Sequence, residues 1–441
     1  MTTSKLIMAG VAAAMLAGCT EQDTILPGKR EDLRAPFGEI SDDRVRTENS
    51  VQNISLARQT SNSNWTHRIG SPATRTAHPA LAAQLTGVQW STAIGEGDSR
   101  RHRITADPVV ADGRIFVMDA KSTVTAVSLG GEKLWSVDLT PARDQQNDAG
   151  GGGLAYGDGK LIVSSGFGKV RALDPASGAE LWLQDLDAPA TGTPSISRGL
   201  VYLVAGDNVA WAIDANSGRV EWQLDGSASD VSNVSGGPAP AVGDDLVIFA
   251  FGSGEMQAAF RKGGLRRWNA TVAGQRRGVA ASTVSDITGD PVIAGNTVFA
   301  GSHSGRIVAV NADSGARLWT AKDGALGPVW PAGGSIFAVS DRNELIRLDG
   351  ETGTRIWGTK LPFFVKEDRR RRVEIVAHYG PVIAGGRVLV ASNDGLIRSF
   401  DPASGAQLSA VEVPGGATTN PVVAGNTLYV VSSNGTLHAI R

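Results

Sequence analysis

Between residues 290 and 320 the hydrophobic positions fall into four short clusters, separated by pairs of turn-forming residues. Apolar residues fill 291–294 and are cut by Gly295-Asn296. They resume over 297–301, and Ser304-Gly305 cuts them again. A third cluster covers 306–311, Ser314-Gly315 follows, and a fourth over 316–320 contains Trp319. Short Val-, Ile- and Phe-rich runs joined by two-residue turns predict four antiparallel strands linked by hairpins. Glycine is needed in such turns because they demand positive φ.

The pattern recurs. Units begin at Pro108, Leu154, Pro194, Pro240, Pro291, Pro328, Pro381 and Pro421. The third turn carries Gly131, Gly178, Gly218, Gly264, Gly315, Gly353 and Gly405, and is absent from the last unit, which stops in its third strand at Arg441. The stretch 85–94, with Trp90 at the tryptophan position, reads as a fourth strand with nothing before it. Four-stranded repeats of about 45 residues are the signature of a β-propeller. The expected fold is therefore all-β: an eight-bladed propeller over 78–441, four antiparallel strands per blade, closed by the N-terminal strand completing the last blade. Closure also removes the free edges of an open array.

Composition refines this. The turns account for much of the 55 glycines, and seven of the ten tryptophans (Trp90, Trp135, Trp182, Trp222, Trp268, Trp319 and Trp357) occupy one repeat position. A large apolar plug there, with an N–H for a neighbouring carbonyl, reads as a lock between blades. A net charge of −2 gives no basic excess of the kind that points to nucleic acid.

Residues 1–18 read as a secretory signal: Lys5 supplies the charge, and the apolar run is too short to span a membrane. Leu16-Ala17-Gly18-Cys19 resembles the bacterial lipobox, so the sole cysteine, Cys19, is the expected site of acylation. By resemblance to bacterial sorting rules, Thr20 after it favours the outer membrane. Residues 19–77 lack a sustained period, mix acidic and basic residues, and read as a lipidated flexible tether with a helical turn near 39–45. Trp65 is expected to pack on the flank of the domain.

Long connections at 140–153, 226–237, 273–289 and 362–380 each join a fourth strand to the next first strand, so all emerge on one face. Binding residues tend to sit on such loops over a rigid scaffold. The six histidines have no metal-ligand spacing, the glycine run 150–153 precedes a strand rather than a helix, and no Gly-x-Ser-x-Gly occurs. Arg369–Arg372, preceded by Lys366, reads as a solvated loop, with contact to an acidic partner or anionic headgroups as the alternative.

The repeat at 172–182, Ala-Leu-Asp-Pro-Ala-Ser-Gly-Ala-Glu-Leu-Trp, resembles the tryptophan-docking repeat of quinoprotein dehydrogenases. It returns as Asp214 with Trp222, Asn311 with Trp319, and Asp349 with Trp357. That resemblance implies a pyrroloquinoline quinone enzyme as one reading, but the vicinal cysteine pair and the acidic Ca²⁺ set of those enzymes are missing. Lipobox, tether and docking-repeat ring together resemble the BamB family, the propeller lipoproteins of outer-membrane β-barrel assembly. That resemblance implies a non-enzymatic scaffold without cofactor, lipid-anchored through Cys19 at the periplasmic face of the outer membrane. It would dock on the periplasmic domains of the barrel-inserting subunit and assist delivery of unfolded barrel proteins. The family's docking loops map in part onto Val234, Asp286 and Thr288, the last in place of an acidic residue. Arg276 and Arg277 stand near a lost cation.

Overall fold

The computed structural model describes residues 48–227, 237–272, 274, 286–366, 368 and 374–441. Cys19, the signal segment, the turn near 39–45, and Arg369–Arg372 lie outside the described residues. Eight four-stranded antiparallel sheets follow one another, spanning 109–138, 152–185, 195–225, 241–271, 292–321, 330–360 and 378–412, with the eighth built from 422–440 and 88–93. Within each blade the first strand lies innermost and the fourth outermost. Inner strands such as Val109–Ala111 are buried throughout, whereas the outer strand Lys133–Asp138 is largely exposed. Burial on both faces explains why the inner and middle strands read as unbroken apolar runs, while the outer ones alternate.

The ring closes where the orphan strand predicted. Val88–Ala93 pairs antiparallel with Thr436–Ile440, setting Trp90 opposite Ala439 and Thr92 opposite Leu437. Ser91 Oγ lies 2.8 Å from His438 Nδ1 across the pair.

Neighbouring blades meet through the repeat tryptophans. The indole N–H of Trp182 donates to Ala215 O at 2.9 Å in the next blade. Trp135, Trp222, Trp268, Trp319 and Trp357 reach Pro175, Arg261, Ala312, Gly350 and Pro402 in the same way. Each ring lies flat on the glycine of the next blade's third turn. At Gly218 (φ +72°) a Cβ would come within 2.8 Å of Trp182, so glycine is required both for conformation and for space. Trp90 lies against Gly131 in the same manner and joins the eighth blade to the first. Ser409 holds this position in the seventh blade, and its hydroxyl lies 2.6 Å from that of Ser399; in the eighth sheet Val88–Ala93 takes the outer place. The turn itself is held by its acidic residue: Asp214 Oδ1 accepts from the Asn216 and Ser217 amides and the Ser217 hydroxyl.

The segment expected as a flexible tether differs from that expectation from residue 48 onward. Asn49 and Ser50 bond to the outer strand of the sixth blade at Gly358 and Ile356, and Arg347 donates to Gln52 O. Trp65 is fully buried on the ring axis, not on a flank. The physical reason is that the inner strands present unpaired backbone groups towards the axis, and a polar segment can satisfy them.

The central channel and the loop face as candidate functional site

The first turns of the blades and the third turns of the first seven, all short, form one face of the ring. The second turns and the long connections form the other. The channel between them is filled from the short-turn side by residues 60–79, which touch the inner strand or first turn of all eight blades. Trp65 exchanges two backbone hydrogen bonds with Val110, at 2.7 and 2.9 Å. Thr66 O accepts from Tyr156 N–H at 2.8 Å, and His67 Nε2 accepts from Ile196 N–H at 3.1 Å. Pro72 O and Ala73 O receive the amides of Val242 and Ile293. Arg75 donates to Pro328 O and Val329 O, Pro79 O accepts from Gly385, and Asn62 O accepts from Gly425. The segment thus runs around the axis, serving successive blades with successive residues.

Its charges are matched on the ring. Arg68 bridges Asp107 and Asp290, each at 3.2 Å, with both carboxylates buried. Asn420 donates to Asp107 at 2.7 Å, and the Ala239 amide donates to Asp290 at 2.8 Å. Asp107, Asp290 and Asn420 each directly precede the proline that opens a repeat. A residue before proline is held extended, and here three of them converge at the axis. Burial raises the Asp290 carboxyl above its ordinary range, with Arg68 opposing. Burial likewise lowers Arg75 to about 9, and its guanidinium lies 4.7 Å over the Trp330 ring. Sequence reasoning passed over all of this. The available signal was Trp65, His67, Arg68 and Arg75 clustered in an otherwise featureless segment, together with acidic residues before prolines.

Above Arg68, on the long-connection face, lies a cavity of about 560 Å³. Its walls include Asn208, Asp286, Thr288, Asp341, Phe363 and His378. His378 is fixed by Ser392 Oγ at 2.7 Å and Pro362 O at 2.8 Å, and burial lowers its pKa. Phe363, Val365 and Ile375, on the connection between the sixth and seventh blades, remain substantially exposed at the rim. Among the described residues, no group of three His, Cys, Asp or Glu is placed to hold a metal ion.

Of the residues expected to bind a partner, Val234, Arg276 and Arg277 lie outside the described residues. Asp286 and Thr288 both line the cavity. Asp286 is only 3% exposed, and Thr288 Oγ1 lies 3.5 Å from Ala325 O. The first strand of the fifth blade begins just after them, and the chain must turn inward there, which carries Asp286 into the wall rather than out to a rim. Asp286, mapped from the family's docking loops, is thus a wall residue of the cavity.

A family profile described as "Outer membrane protein assembly factor BamB" matches residues 120–359 and 368–441. The chain belongs to this family. A BamB protein of Yersinia pestis is 25% identical over 244 residues, covering 54% of this chain and 61% of that protein. The BamB of Salmonella typhimurium is 22% identical over 368 residues, covering 82% of this chain and 91% of its own length. The chain spans 59–62% of the length of the Yersinia, Moranella and Xanthomonas relatives, about three-fifths. Among solved structures, BamB from Moraxella catarrhalis superposes with a TM-score of 0.66 at 19% identity, over 81% of this chain and 100% of that one. Quinohemoprotein alcohol dehydrogenase from Comamonas testosteroni gives 0.65 at 15% identity, over 86% and 80%. Both likenesses are of fold alone. A likeness of fold alone therefore does not separate the two.

Proposed function

We propose that this BamB-family chain is a non-enzymatic scaffold of outer-membrane β-barrel protein assembly. It would act at the periplasmic face of the outer membrane, anchored by lipid on Cys19. The observation that carries the reading is the family match over most of the ring. The partner is the periplasmic part of the barrel-inserting subunit, and the docking face is the one with the long connections. The connections 226–237 and 273–289 leave adjacent blades on that face, so Val234 and the Arg276-Arg277 pair come from neighbouring loops. An apolar anchor beside charges is the mixture found where hot spots meet a polar rim. The short-turn face offers less, since its turns are tight and the segment 48–58 covers part of it.

Two measurements test this. Val234→Asp is expected to weaken co-purification with the barrel-inserting subunit at least ~10-fold, a loss of ~1.4 kcal/mol. Asp313→Arg, in an exposed third turn on the opposite face, should leave it unchanged. The reverse pattern would mean the face is wrongly assigned. Asp286→Arg is a poor probe, because a guanidinium forced into that buried wall would disturb the fold itself. Separately, Cys19→Ser is expected to move the protein from the membrane pellet to the soluble periplasmic fraction, since stable anchoring needs two acyl chains or more. Retention of the variant in the pellet at high salt would argue against lipidation.

A further inference from the structure

We propose that residues 60–79 form an acid-released plug: a fall in pH detaches the segment from the inner strands and opens the channel between the short-turn face and the cavity. The inference rests on how the segment is held. Its contacts to the first five blades are mostly backbone hydrogen bonds, a pair from Trp65 and single ones from Thr66, Pro72 and Ala73, with the His67 ring at the third blade and Arg68 bridging Asp107 and Asp290. Among these five blades the acceptor is an imidazole at the third, where His67 takes the Ile196 amide; a second histidine, His78, takes the Gly386 amide at the seventh.

His67 is buried, and its Nε2 receives the Ile196 amide. With Nε2 accepting, the proton of the neutral ring sits on Nδ1, 2.9 Å from Thr66 Oγ1. A second proton on Nε2 would point at the Ile196 N–H, exchanging an attraction for a clash of two donors. Ile196 O, 3.0 Å from the same nitrogen, offsets part of this. Burial is the larger effect and brings the imidazole pKa down to about 4.

The ionisable groups on the elements packed around the ring are few. The segment itself brings Arg68, Arg75 and His78, whose Nε2 accepts from the Gly386 amide of the seventh blade at 2.9 Å; the approach to the first blade brings Asp107, the second blade brings Tyr156, and the approach to the fifth brings Asp290. The inner strand of the third blade, Ser195–Ser197, brings none. None of these groups is a hydrogen-bond partner of the imidazole among the described residues. Arg75 at about 9 and Tyr156 at about 12 keep one charge state between pH 4 and 8.

The sign follows from linkage. The released His67 takes a proton near pH 6.5, and the held one only near 4. Holding is therefore at full strength above 6.5, weakens through the interval, and reaches its floor below 4. Asp290 belongs to the ring rather than to the segment, and protonating it removes one of the two carboxylates that hold Arg68. The histidine shift alone corresponds to a loss of protection of roughly 30-fold at pH 5 and roughly 160-fold at pH 4.

Hydrogen exchange on the full chain reads this directly, with intrinsic rates corrected for pH. The amides of Val110, Tyr156, Ile196, Val242 and Ile293 donate to the segment and should lose protection by those factors, while ladder amides of the middle strands keep theirs. In His67→Gln, which keeps an amide oxygen to accept the Ile196 proton but cannot titrate, the fall should vanish. Unchanged protection down to pH 4 would overturn the proposal. So would loss in step with the ladder amides, or an identical fall in His67→Gln.

Discussion

Replacing Val88–Ala93 with a glycine–serine–proline stretch of the same length is expected to turn a cooperatively melting ring into an aggregating one. The strand contributes three separate things. Its backbone pairs with Thr436–Ile440, and without it that strand becomes an open edge, a template for pairing with another chain. Trp90 fills the space between Gly131 of the first blade and Tyr429 of the eighth, its ring centroid 6.0 Å from that of Tyr429. Thr92 Oγ1 donates to Gly131 O at 2.6 Å, a second tie across the same seam. Losing a packed tryptophan costs about 3 kcal/mol or more, and the open edge adds a kinetic route to aggregation. Thermal unfolding with light scattering checks both. Unchanged melting and a monodisperse variant would show that the ring does not depend on this closure.

Arg68→Ala is expected to be the most damaging single substitution on the axis. It leaves Asp107 and Asp290, with side chains 4% and 1% exposed, without the cation that bridges them and with Arg75 acting on them only from beyond ion-pair distance. Breaking a buried pair in this way costs about 3–5 kcal/mol, more than the pair itself is worth, because the remaining charge is uncompensated. The same reasoning predicts the rescue: Arg68→Met combined with Asp107→Asn and Asp290→Asn should recover most of the loss. A pH series adds an independent check. Without Arg68, a carboxyl already raised by burial rises further. A raised carboxyl favours the folded state at low pH and loses that contribution as pH climbs through its folded value. The deficit relative to wild type at the same pH should therefore be smaller at pH 5 than at pH 8. An equal deficit at both, or no rescue by the neutral triple variant, would mean that the triad is not what holds the axis.

The sequence alone determined the blade. Strand lengths, turn positions and the repeat tryptophans are local matters: a two-residue turn needs glycine wherever it sits, and a strand buried on both faces must be apolar along its length. Even the closure of the ring was legible, because a missing fourth strand at one end and a spare one at the other can be counted. What only the tertiary structure decided lies on the axis. Residues 60–79 carry no periodicity because they run across the inner strands, so each residue meets a different blade and no repeat is imposed on them. Arg68 finds its partners at Asp107 and Asp290, positions far apart in the chain that meet only once the ring has formed. Trp65 reads as a residue packed on the domain's flank, and only the closed ring places it among the inner strands. Asp286 illustrates the reverse case: a loop residue that looked presentable to a partner is drawn into the cavity wall, because the strand after it must turn towards the axis. Local chemistry selects turns and strands, but which polar groups are buried together depends on closure, and closure is a property of the whole ring.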